Sequence, residues 1–110
     1  MDYPTAYRLI LQQGLATAAD SEALINRLQQ QLPPIPGQIT SILLALKVIQ
    51  EGVQQNPTLE RELVAALHCL TQDSLKWFEE GRRQQFEWPP LLEADLQRIA
   101  MMIRVIFLDQ

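Results

Sequence analysis

The sequence predicts an all-α, single-domain bundle of about five helices around a central helix at about 37–54. Three observations lead there. Apolar residues recur at helical intervals in every stretch between proline and glycine breaks, and Val, Ile and Thr nowhere alternate with polar residues long enough to make a half-buried strand. Gln, Leu, Ala, Glu and Arg dominate throughout, which favours helix. Within residues 38–54, Ile42, Leu43, Leu44, Ala45, Leu46, Val48 and Ile49 surround a single Lys47. That segment is apolar round most of a helix and is expected to be wrapped by the others.

The first helix is expected at about 4–13. Pro4 is tolerated in the first turn, Gly14 is placed to end the helix in a left-handed conformation, and Tyr7, Ile10 and Leu11 mark the buried side. The second is expected at about 20–31, capped either by Thr17 with Asp20 three residues on or by Asp20 itself, with Leu24, Ile25 and Leu28 inward. Pro33, Pro34 and Pro36 then force an extended connection, because each fixes its own φ and disfavours helix in the residue before it.

After the central helix, Asn56 as cap and Pro57 as first helical residue open the fourth, with Glu60 and Glu62 near its positive end. Its apolar stripe is Leu59, Leu63, Ala66, Leu67, Leu70, Ser74, Trp77 and Phe78. Gly81 can end it, but the helical spacing of Glu79 and Glu80 with Arg83 favours continuation to about Gln85. Trp88, Pro89 and Pro90 make the last break. The fifth helix then places Leu92, Leu96, Ile99, Ile103 and Ile106 on one face and a second apolar stripe, Ala94, Met101, Val105 and Leu108, beside it.

One domain, residues 1–110, follows from the length, and with 47% apolar and 20% charged residues the chain can bury roughly two-thirds of its unfolded surface. The lone Cys69 cannot form an intramolecular disulfide and reads as a small apolar side chain in a reducing, cytoplasmic setting. No basic stretch leads into an apolar run at the start, so no secretory signal is expected. No apolar run approaches the ~20 residues of a membrane span. A net charge of −4 opposes a phosphate backbone, which makes nucleic acid a poor partner.

Chemistry is scarce. Neither a phosphate-binding G-x-x-x-x-G-K-[ST] loop nor G-x-G-x-x-G occurs, and there is no G-x-S-x-G elbow. His68 and Cys69 are adjacent, about 100° apart on a helix, so they make no zinc site by themselves. No Glu-x-x-His pair supports a di-iron centre. The expectation is a non-enzymatic protein with no cofactor and no metal.

Three features are candidates for function. The second stripe of the fifth helix, with Met101, Val105 and Leu108, is greasier than a peripheral helix requires, and either the first two helices fold across it or a protein partner does, most simply in a homodimer. A corner holding Trp77, Arg82, Arg83 and Trp88 can take a planar or anionic ligand; its plain alternative is two core aromatics, Trp77 and Phe78, with both arginines paired to Glu79 and Glu80. The Leu32–Gly37 stretch is either a stiff edge for a partner or a rigid spacer.

Residues 33–48 (PPIPGQITSILLALKV), with Trp88-Pro-Pro-Leu-Leu and Asp95-Leu-Gln-Arg-Ile-Ala, resemble a family of short all-helical cyanobacterial proteins of uncharacterised activity, some of which carry the label dethiobiotin synthetase. The resemblance implies a cytosolic setting in a photosynthetic cell and no established catalytic residues. The labelled activity is not carried over, because it needs a phosphate-binding loop on a larger α/β sheet. The function expected is protein–protein interaction or assembly through the last helix, the alternative being a small-ligand-binding regulator at the Trp77/Arg82/Trp88 corner.

Overall fold

A computed structural model describes residues 1–17 and 19–108. Its helices are α1 (Tyr3–Leu15), α2 (Leu24–Gln29), α3 (Gln38–Val53), α4 (Arg61–Arg83) and α5 (Leu92–Leu108), with no strand among the described residues. One core takes side chains from all five. The radius of gyration, 13.5 Å, is that of a single compact domain, for which about 13 Å is expected at this length.

α1 starts as expected but runs past its expected end. The Thr5 amide donates to Asp2 Oδ1 at 2.9 Å, and that bond holds the Asp2 carboxyl below its usual range. Gly14 does not terminate the helix. It is a buried helical residue where α1 crosses α4 so closely that a Cβ would collide with the backbone of Ala66, and the left-handed residue is Ala16. Ala6, Ile10 and Gly14 form the buried line, while Tyr7 and Leu11 are half-buried beside it.

α2 is shorter than expected, and neither Thr17 nor Asp20 caps it. The Asp20 carboxylate accepts instead from the Glu22 amide, and the Asn26 side-chain amide donates to the carbonyls of Thr17 and Asp20, so residues 20–23 are held as turns. The first amide of α2, on Leu24, donates to Gln13 Oε1 of α1 at 2.7 Å. Gln38, buried at the start of α3, donates through Nε2 to Gln13 Oε1 and to the Glu22 carbonyl, and accepts from the Ile35 amide. These bonds tie the starts of α2 and α3 to α1 and satisfy polar groups that are costly to bury unpaired.

α3 buries Ile42, Ala45, Leu46, Ile49 and Val53 between α1 and α5. It is not enclosed on every side: Thr40, Leu44, Lys47 and Glu51 face out. α1 and α4 each pack on three other helices, α1 on α2, α3 and α4, and α4 on α1, α2 and α5.

The expected opening of α4 at Asn56 and Pro57 does not occur. Residues 54–60 form a loop with Gln55 at φ 66°, and the helix begins at Arg61 after an extended Glu60. Glu62 still lies in the first turn, where a carboxylate favours the helix dipole. The helix continues through Gly81 to Arg83, and Gly81 is needed there because a Cβ would lie 2.6 Å from Cζ2 of Trp88.

The first halves of α3 and α5 run side by side, with Ile39 and Thr40 lining the same cleft as Leu91, Leu92 and Asp95. α4 runs opposite to α5, so Arg82 near the end of α4 pairs with Glu93 near the start of α5 at 3.2 Å. α5 thus lies between α3 and α4 with its inner face on the core.

Candidate functional site

Leu92, Leu96, Ile99, Ile103 and Ile106 are all buried. Met101 follows Ile99 by two positions, or roughly 200° round the helix, so it points away from the core. It is 61% exposed, Leu91 is 71% and Leu108 47%; Ala94 is also exposed and Val105 half-buried. The second stripe is therefore nearly opposite the core face and not beside it. α1 and α2 do not fold across it, since α1 packs on α2, α3 and α4, and α2 on α1 and α4.

Two flanks extend this outer face. On the α3 side, Leu91 lines a cleft with Ile39 and Thr40, and Met102 is half-buried. On the α4 side, Phe107 and Leu108 line a groove of about 250 Å³ with His68, Thr71 and Arg104. Charge is sparse along the stripe: Arg98 interrupts it, and its guanidinium meets the carboxylate of Asp95 at 3.6 Å. Apolar side chains held outward on a packed helix suit contact with another apolar surface, whereas a small ligand needs an enclosing wall.

The Trp77, Arg82, Arg83 and Trp88 corner is brought together only in part. Trp88 donates its indole N–H to the Phe78 carbonyl at 2.9 Å, meets Phe86 edge-on at 4.6 Å and fills the space above Gly81. Arg82 lies over the Phe78 ring and pairs with Glu79 and Glu93, interactions that push its pKa up, while Arg83 pairs with Glu80 at 3.3 Å. Trp77 precedes Arg82 by five positions, roughly 140° away round α4, and stands beside Lys76. The cationic groups are thus committed to carboxylates of the same chain.

Among the described residues no group of three or more His, Cys, Asp and Glu side chains is placed to hold a metal ion. His68 is exposed on α4. Cys69 is half-buried, and burial, with Asp73 beside it, pushes its thiol pKa up, away from a reactive thiolate. No helix is long and apolar enough to cross a membrane.

Two polar features had no signal in the sequence. One is the Gln13–Gln38 junction, whose partners are 25 residues apart. The other is Tyr7, whose hydroxyl donates to Glu62 at 2.9 Å across the α1–α4 contact; burial and this bond push its pKa up to about 12. Tyr7 also lines an open surface cleft with Tyr3, Arg8, Leu11 and Glu60. Compared with models of protein families, with curated proteins and with solved structures, the chain finds no match in any of the three.

Proposed function

We propose that this chain is a cytoplasmic helical assembly protein that associates with a second copy of itself through the outer face of α5, acting by association and not by catalysis. The observation that carries the reading is the outer line of α5, where Leu91, Ala94, Met101 and Leu108 are exposed, Val105 is half-buried and Arg98 is the one charge that interrupts them. Burying such side chains is worth roughly 1.5–3 kcal/mol each, so a few matched pairs offset the entropy lost on association.

Sedimentation velocity over a range of concentrations tests it. The wild type is expected to approach a dimer as concentration rises, and Val105→Glu to remain a monomer with unchanged helical circular dichroism. A wild type that stays monomeric at the highest concentration rejects the proposal.

A further inference from the structure

The groove between α4 and α5 has a charge of one sign. It holds about 250 Å³, with His68, Thr71 and Gln72 contributed by α4 and Ile103, Arg104 and Phe107 by α5. Ile103 is buried beneath it, and Phe107 adds an apolar ring that is 44% exposed. His68 and Arg104 both line it, while among the described residues no carboxylate does. Both basic side chains are exposed, and neither has a hydrogen-bond or ion-pair partner among the described residues.

The other arginines are placed differently. Arg82, Arg83 and Arg98 pair with carboxylates, Arg27 donates to the Pro33 carbonyl, and Arg8 and Arg61 share their clefts with Glu60. In a chain of net charge −4, Arg104 thus lines an apolar hollow that no acid of the chain shares.

We infer that this groove binds a small monocarboxylate with a short alkyl chain, its carboxylate on Arg104 and its chain along Ile103 and Phe107. A guanidinium meets a carboxylate through two parallel N–H···O bonds, and the imidazole of His68 on the facing helix offers a further donor. The Thr71 hydroxyl is already used on the Leu67 carbonyl at 3.1 Å, so recognition of the charge rests on the two basic groups. Size limits the rest of the ligand. From Ala100 to Phe107 the groove follows α5 for about 10 Å, too little for a partner helix about 10–12 Å across to lie in it. Its volume falls below the about 300–1,000 Å³ usual for drug-sized ligands, which suits a short chain. The inference is independent of the self-association proposed above.

Octanoate titrated into the full chain, followed through amide chemical shifts by NMR, tests it. The shifts are expected to saturate and to cluster at residues 68–72 and 100–107. Arg104→Gln, with helical circular dichroism unchanged, is expected to weaken binding about tenfold or more, because a charge-assisted pair is lost. Octanol keeps the chain and acetate keeps the charge, and each is expected to bind about tenfold or more weakly than octanoate. Shifts that do not saturate, shifts centred elsewhere, or an Arg104→Gln protein that binds octanoate as the wild type does overturn the inference. Octanol binding as tightly as octanoate also overturns it, since the groove is then an apolar surface without selection for charge. Binding to phosphatidylglycerol vesicles with no saturable binding of octanoate overturns it in favour of a lipid surface.

Discussion

Ile99 and Met101 are neighbours but one on the same helix, yet the first is fully buried and the second is mostly in solvent. The inner and outer lines of α5 are both apolar and both follow helical spacing. What separates them is topology: α3 and α4 flank the helix and close over one side, while α1 and α2 are used on α3 and α4. Periodicity thus identifies a face that favours burial, and only the path of the rest of the chain determines whether the chain buries it itself.

The strongest way to probe that contrast is truncation on the inner side. Ile99→Ala and, on α3, Leu46→Ala are each expected to lower the unfolding free energy by roughly 2–5 kcal/mol in urea titration, since both side chains are fully buried. A loss below about 1 kcal/mol at either site contradicts the assignment of that face to the core. Gly14→Ala comes next, at about 1–3 kcal/mol, because its new methyl meets backbone and not a side chain that can swing away. Trp88→Phe removes the indole bond to the Phe78 carbonyl and is expected to cost about 0.5–1.5 kcal/mol by the same titration. On the outer side Met101→Ser is expected to change monomer stability by less than about 0.5 kcal/mol, measured at concentrations too low for association. A large loss there places Met101 in the core of the single chain and erases the contrast.

Much of this architecture is legible in the amino-acid order. The all-α class, the number of helices, the continuation of α4 through Gly81 and each member of the inner line of α5 follow from period and punctuation. Local signals fail where a tertiary partner takes over a local role. Gly14 looks like a terminator, but its missing side chain serves the α1–α4 crossing. Thr17 and Asp20 look like caps, but the cap comes from Gln13. Asn56 and Pro57 look like a helix start, yet the chain stays in a loop until Arg61 and places Leu59 against the core. The apolar wealth of residues 38–54 hides a solvent line through Leu44, because an apolar side chain in sequence carries no record of which neighbour stands beside it.

The candidate site was legible to a different degree. Met101, Val105 and Leu108 stand out by spacing, and their angle from the core line follows from the same spacing, since about 100° per residue sets Met101 nearly opposite Ile99; how far each is exposed, and the exposure of Leu91 just before α5, depend on the packing of the other helices. At the other corner, sequence proximity gathers Trp77, Arg82, Arg83 and Trp88. Helical geometry then turns Trp77 away, and Glu79, Glu80 and Glu93 occupy the arginines. Residues close in sequence share a site only when the helix turns them the same way.

Methionine oxidation tests the central claim most directly, because peroxide reaches a thioether only where solvent does. Met1 and Met101 are both more than half exposed in the single chain. Oxidation followed by mass spectrometry of peptides is expected to modify both at similar rates in dilute protein. As concentration rises, Met101 is expected to become protected while Met1 does not. Equal oxidation of the two at every concentration contradicts the account, since it means that nothing covers the outer face of α5.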